Sequence, residues 1–202
     1  MEKDMEKQEL ELFRSLLKNK QYTALRSAAE DMNEADLAEV MEAMEDEDML
    51  KMFRLFPKEL AANVFAMLED DSQKYIITSL SDKEAGIIID NLYSDDAVDL
   101  LEEMPASIVK RLLACARPDT RADINHLLQY PDDSAGSVMT VEFVDLKPSM
   151  TVMQAIERIR RIGKDSENVN TCYVLNEKRL LLGEVALRTL VLSMPEDVVA
   201  DI

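Results

Sequence analysis

The sequence predicts a mostly α superhelical repeat domain over residues 1–131, followed by an α/β module over residues 132–202 with the element order β-α-β-β-α. Three observations point there. Apolar residues recur with a period of twelve through the first part of the chain. Acidic charge concentrates in that same part: residues 30–99 hold 20 acids against 5 bases, whereas residues 141–202 hold 10 against 8. A cluster of small and turn residues, Tyr130-Pro131-Asp132-Asp133-Ser134-Ala135-Gly136-Ser137, then interrupts the pattern as a boundary would.

Residues 1–30 read as longer lead-in helices, with Leu10, Leu12, Phe13, Leu16 and Leu17 on the first, capping the stack that follows. Short segments then close on Met44, Phe56, Leu68, Leu80, Leu92, Met104, Ala116 and Leu128. Four residues before each closer stand Val40, Met52, Val64, Ile76, Ile88, Leu100, Leu112 and Ile124. Three residues before stand Met41, Phe53, Phe65, Ile77, Ile89, Leu101 and Leu113, with Asn125 breaking the row. Spacings of three and four place these side chains on one helical face. Between the segments lie Glu45-Asp46-Glu47-Asp48, Pro57, Asp70-Asp71-Ser72, Ser81-Asp82, Ser94-Asp95-Asp96, Pro105 and Pro118-Asp119. Acids and Ser accept from the free N–H groups of a helix start, and Pro suits its first turn. Each unit is therefore a helix of about two turns, too short to stand alone, that must stack its apolar face on neighbours. The prolines exclude one long helix.

After the boundary, Val138 to Val144 reads as extended and Lys147-Pro148 ends it. Thr151 caps a helix to Ile162, with Val152, Ala155, Ile156, Ile159 and Ile162 inward and Arg158, Arg160 and Arg161 mostly outward. Asn170–Leu175 is a strand, Asn176–Arg179 a turn, Leu180–Val185 a returning strand, and Leu187–Ser193 a short helix stopped by Pro195.

Composition narrows the function classes. The chain has 202 residues, 47% of them apolar, so a real core is expected; four Gly and thirteen Met suit a helix-rich protein. A net charge of −18 repels nucleic acid and anionic lipid, so neither is an expected partner. Cys115 and Cys172 form no CxxC and are expected as buried free thiols of a reducing compartment. The start lacks the apolar stretch of a signal peptide, and no run of roughly 18 apolar residues occurs, so no membrane span is expected. No nucleophile–base constellation, P-loop, GxGxxG or HExxH is present. The single histidine, His126, reads as a partly exposed helical residue. Binding and regulation, not catalysis, is the expected work of this chain.

Residues 132–140, Asp-Asp-Ser-Ala-Gly-Ser-Val-Met-Thr, preceded by the acidic repeat, resemble the junction of the MgtE family of magnesium transporters. In that family an N-terminal superhelical domain leads through an SAGxxMT-type segment into a pair of CBS motifs. The elements over 138–193 resemble the first CBS motif, with Tyr173-Val-Leu-Asn and Leu182-Gly-Glu-Val-Ala-Leu-Arg-Thr-Leu at its central hairpin and second helix. The resemblance implies a cytoplasmic-side piece of a membrane protein, truncated before a second CBS motif and a transmembrane pore domain, or else a soluble relative. A homodimer or swapped pairing through the apolar CBS face is expected, because such motifs pair.

The resemblance also implies a site. In the family, Mg²⁺ binds between the acidic domain and the CBS pair, holds the assembly compact and favours the closed pore. The family's ligands match the helix start Asp95-Asp96-Ala-Val-Asp99, so Asp95, Asp99 and Asp96 are the candidate Mg²⁺ ligands; a further family acid matches Asn63, which keeps an oxygen but not the charge. No nucleotide site is expected. The adenosine pocket of CBS motifs uses Gly-x-Ser/Thr-x-x-Asp, whereas Gly183 is followed here by Ala186 and Thr189 at the hydroxyl and acid positions. Two alternatives stand beside the sensor: a protein-interaction scaffold like the helical repeats of flagellar motor proteins, and a nucleotide-controlled regulatory module.

Overall fold

Helix starts fall every twelve residues, as the apolar period requires. The computed structural model describes residues 2–131 and 134–202. Two units divide the chain, one ending at Ser137 and one spanning Val138–Ile202. In the first unit, α1 (Glu2–Lys18) precedes α2 (Tyr22–Glu30), α3 (Glu34–Glu42), α4 (Asp46–Phe53), α5 (Lys58–Ala66), α6 (Asp70–Ser79), α7 (Asp82–Ile89), α8 (Ser94–Glu102), α9 (Ala106–Cys115) and α10 (Pro118–Leu127). Packing skips one helix: α3 lies on α5, α5 on α7, α7 on α9, α4 on α6 and α8 on α10. The result is a superhelical repeat in which α3, α5, α7 and α9 form one continuous ladder and the even-numbered helices pack in pairs, α4 with α6 and α8 with α10.

The core is the apolar pattern read from the sequence. All the residues four before a closer are buried, from Val40 to Ile124, and Met41, Phe53, Phe65, Ile77, Ile89 and Leu101 lie at 3% exposure or less. The row three before a closer loosens at the end, where Leu113 is half-buried and Asn125 exposed. Each fully buried Ile or Leu contributes about 1.5–3 kcal/mol relative to leaving it in water. Gly86 permits a close approach of α7 and α9, for a Cβ there would stand 2.7 Å from the Cys115 carbonyl oxygen of α9.

The lead-in differs from expectation. Only α1 is long; α2 has the length and phase of a repeat unit. Its phase is hidden because the positions four and three before the closer position at Met32 hold only Ala28 and Ala29, whose single methyl groups give a weak apolar signal. On α1, Phe13 and Leu16 are buried, Leu10 and Leu17 half-buried, and Leu12 is turned out at 48% exposure.

The caps also differ. Asn33 accepts from the Ala35 amide, and Ser81 forms a reciprocal capping box with Glu84, but Glu45, Glu69 and Tyr93 make no side-chain cap bond. Pro57 and Pro105 stand at the N-cap itself, and Pro118 inside the first turn. Some free N–H groups are met from another helix instead. Glu42 of α3 accepts from the Glu69 amide (2.9 Å) and the Ser72 hydroxyl (2.6 Å), so it caps α6.

At the boundary, Asp132 and Asp133, the first residues of the family-like junction, lie outside the described residues. Gly136 sits against the Tyr130 ring with no room for a Cβ. In the second unit, β1 (Phe143–Leu146) is followed by α11 (Val152–Ile162), β2 (Asn168–Leu175), β3 (Leu181–Ala186) and α12 (Leu187–Leu192). The sheet order is β1-β2-β3, with β1 parallel to β2 through the α11 crossover and β3 antiparallel to β2. The expected extended stretch from Val138 shortens to Phe143–Leu146. Glu142 accepts from the Thr140 hydroxyl (2.7 Å) and the Val141 amide (3.2 Å), folding the chain locally before the strand.

Thr151 and Gln154 close a capping box on α11. Val144, Leu146, Val152, Ala155, Ile159, Cys172, Val174, Val185, Leu190 and Val199 form one buried cluster. Arg158 turns back to the Asp145 carboxylate and its carbonyl oxygen, half-buried instead of outward. Cys172 is buried and free; Cys115 is free but only partly covered, a departure from the expected burial. Leu180, Leu181, Leu182, Val191, Leu192 and Met194 are each more than half exposed.

Candidate metal-binding site

Buried Ser94, Ala97, Val98, Leu100 and Leu101 fix the rotation of α8. The remaining positions of its first turns are Asp95, Asp96 and Asp99, and their charges suit the positive helix end. Asp95 and Asp96 are half-buried, and Asp99 is exposed. Among the described residues, the Asp95 Oδ1 atom is buried with no hydrogen-bond partner. The Asp99 carboxyl is pushed above the usual aspartate range, first by loss of water on its inner side and second by the Asp95 negative charge. Their four-residue spacing sets Asp95 and Asp99 on successive turns of one face of α8.

Asp96 belongs to the other side of the same turn. With Asp99 it lines a cleft of about 320 Å³ that also takes Asp70 of α6 and Glu102 and Glu103 at the end of α8, and no Lys or Arg. Asp70, Glu102 and Glu103 were not singled out by sequence reasoning, because acids open and close many of these helices. Asp99 is thus shared between the Asp95 pair and the cleft. Among the described residues, no three His, Cys, Asp or Glu side chains converge tightly enough to cage a metal by themselves.

Asn63 of α5 donates its Nδ2 to Glu34 Oε1 at 2.9 Å. Both line a neighbouring cavity of about 240 Å³ with Asp96. A carboxylate therefore stands beside the neutral amide, supplied by a residue 29 positions away that reads in sequence only as a first-turn acid.

The donor set fits a hard cation. It is all oxygen, holds an unpartnered carboxylate oxygen, and offers one or two carboxylates to an ion that keeps most of its water, as Mg²⁺ does. Elsewhere, His126 is exposed, with its ring edge-on to Tyr130 at 5.6 Å. In the second unit, Gly183 has open space where a side chain would be, and Ala186 and Thr189 are exposed.

The profile of the MgtE intracellular N domain matches residues 32–133. The chain belongs to the MgtE family. That match runs from the cap of α3 through α10 to the junction. The magnesium transporter MgtE of Thermus thermophilus is 35% identical over 107 residues, which cover 53% of this chain and 24% of that protein. Its Bacillus subtilis counterpart is 31% identical over 109 residues, covering 54% and 24%. The chain thus spans about a quarter of the length of the curated relatives it matches. A crystal structure described as the soluble part of a magnesium transporter superposes with a TM-score of 0.91 at 24% identity, over 98% of this chain and 78% of that one, which shows the fold. A second, the cytosolic domain of the Mg²⁺ channel MgtE in complex with ATP, gives 0.84 at 31% identity over 94% and 77%. The mostly helical repeat followed by a small three-stranded α/β unit is therefore the fold of MgtE cytosolic domains.

Proposed function

We propose that this chain is the regulatory, cytoplasmic-side region of a magnesium transporter or channel, and that it senses Mg²⁺ through the Asp95–Asp99 pair of α8. The observation that carries the reading is the buried, unpartnered Asp95 oxygen beside an Asp99 whose carboxyl is held above its usual range. A doubly charged cation supplies charge neutralisation there. Asp95 and Asp99 hold it at the helix head, while Asp96, Asp70, Glu102 and Glu103 keep the adjoining cleft negative. The remaining ligands come from the CBS part of the assembly, so binding draws the acidic domain onto it and biases the pore, which is the other partner, toward closure. The exposed Leu180–Leu182, Val191, Leu192 and Met194 face pairs with a second CBS motif or with a second copy, giving a homodimer.

Limited proteolysis of the chain extended through a second CBS motif tests this, with and without millimolar Mg²⁺. Protection by the ion that disappears in Asp95→Ala/Asp99→Ala is expected. Equal cleavage in all four conditions refutes the sensor and favours the scaffold alternative.

A second reading has one observation behind it: the relative at 31% identity is described in complex with ATP. An adenine nucleotide would meet the open backbone at Gly183. Ala186 and Thr189 deprive it of the hydroxyl and the acid that read the ribose. Equilibrium dialysis decides between them, retention of ATP by the extended chain that excess inorganic tripolyphosphate does not displace favouring the nucleotide reading.

A further inference from the structure

One cleft of the first unit reverses the charge of the rest. It measures about 650 Å³ and is lined by Arg14, Lys18 and Lys20 from α1 and the turn after it, Tyr22 of α2, and Lys51 and Arg54 at the end of α4; Asp48 is its single carboxylate. Carboxylates outnumber cations 41 to 23 in this chain, so most cations should find an acid. Lys51 does, with Asp48 at 2.9 Å and Glu47 at 3.7 Å, and Arg54 lies 3.5 Å from Glu84. Arg14 is held by the Ala43 carbonyl oxygen at 2.9 Å, which fixes the guanidinium without cancelling its charge. Among the described residues, the Lys18 and Lys20 side chains have neither a hydrogen-bond nor an ion-pair partner.

Lys20 also occupies an unusual backbone position. The Gln21 amide donates to Leu16 O (2.9 Å) and the Lys20 amide to Leu17 O (3.0 Å), the double bond of a Schellman ending to α1. Lys20 sits at its left-handed residue, φ 54°, where glycine is the ordinary choice. A lysine there carries its ammonium to the cleft mouth at a backbone cost that glycine would avoid. Tyr22 is half exposed and opens α2, whose first turn holds no acid and whose cap residue Gln21 makes no side-chain bond, so the positive end of that helix borders the cleft.

We propose that this cleft binds a phosphate-bearing polyanion, with Lys18, Lys20 and Arg14 neutralising its charge and the Tyr22 hydroxyl donating to a phosphate oxygen. A compact ammonium and a fixed guanidinium are the groups that suit phosphate oxygens. The phosphate can come from a free polyphosphate or from a lipid headgroup, and both sources are tested in Mg²⁺-free buffer. Isothermal titration uses inorganic tripolyphosphate, which lacks the adenine and ribose a nucleotide site reads, and the Lys18 and Lys20 variants assign its binding to this cleft. Flotation uses phosphatidylcholine vesicles with and without phosphatidylglycerol.

Saturable binding in at least one arm is expected, weakened tenfold or more by Lys18→Gln/Lys20→Gln and by raised salt. It should be unchanged by Lys83→Gln/Lys110→Gln, which removes the same charge from exposed positions elsewhere. Lys20→Gly should lose affinity while melting at or above the parent temperature. The proposal is overturned by no binding in either arm, by equal weakening in the two double variants, or by self-association of the chain that Lys18→Gln/Lys20→Gln abolishes, which would assign the cleft to an acidic protein face.

Discussion

Asp90, at the end of α7, accepts a hydrogen bond at 2.8 Å from the backbone N–H of Arg117, the residue that begins α10. Its carboxylate also lies 3.6 Å from the Arg117 guanidinium. The residue that ends α7 with its backbone thus caps, with its side chain, a helix 27 residues later. Asp90→Ala should destabilise the first unit by about 1–2 kcal/mol, the usual worth of a cap, and Asp90→Asn by less, since the amide keeps an acceptor. Urea unfolding followed by circular dichroism measures both.

Gly86 should tolerate no side chain. The 2.7 Å approach to the Cys115 carbonyl forces α7 and α9 apart in Gly86→Ala, and overpacking of this kind costs about 1–3 kcal/mol. Ile77→Ala, at a fully buried position, should cost about 2–5 kcal/mol through the cavity it leaves. Thermal melts of both against Lys83→Gln provide the comparison.

Two acids should give pH responses of opposite sign. Glu84 is held below its usual range by the Ser81 hydroxyl and amide, with Arg54 adding a smaller push. Its stabilisation is present above the ordinary glutamate pKa and is lost as pH falls through the folded value. Asp99 is raised, so the folded state binds its proton more tightly than the unfolded chain does. Its contribution favours folding at low pH and is lost as pH climbs from the ordinary aspartate pKa through the raised one. Removing the neighbouring charge in Asp95→Asn should move the Asp99 titration down toward the ordinary range. Carboxyl-detected NMR titration reads it directly, and an unmoved Asp99 would show that the two carboxylates do not feel each other.

Arg158→Ala should destabilise the second unit by about 1–3 kcal/mol, because it strips a half-buried Asp145 carboxylate and carbonyl of their donor. Arg160→Ala, at an exposed position, should change little. Differential scanning calorimetry of the two variants separates them.

The repeat was legible because its signal is collective: many positions at a fixed period share one constraint, burial, and single exceptions such as Asn125 do not erase it. The boundaries of α11, β2, β3 and α12 were legible within a residue or two for a similar reason, since Thr151, the Asn176–Arg179 turn and Pro195 each mark an end by local chemistry. What escaped was long-range. Glu42 capping α6, Asp90 capping α10 and Glu34 meeting Asn63 all join residues 27 to 30 apart, because stacking brings each helix against the second or third helix after it. α2 escaped because Ala28 and Ala29 present too little apolar surface to stand out where the period was read from larger side chains. At the candidate site, spacing was enough to put Asp95 and Asp99 on one face of α8. It could not show that Asp96 turns into a cleft shared with Asp70, Glu102 and Glu103.

Because the short helices rest mainly on near neighbours in the stack, with side-chain bonds such as those of Glu42 and Asp90 tying odd-numbered to even-numbered helices, cohesion in the first unit is passed along its length and has no central hub. Such an arrangement opens from its ends. α10 is the last helix of the first unit, packed on α8, and the apolar row is already softened nearby at Leu113 and Asn125. Amide exchange should therefore be fastest in α10 and slow progressively toward α5 and α6, so the segment next to the junction is the one that yields first when the chain is pulled or heated.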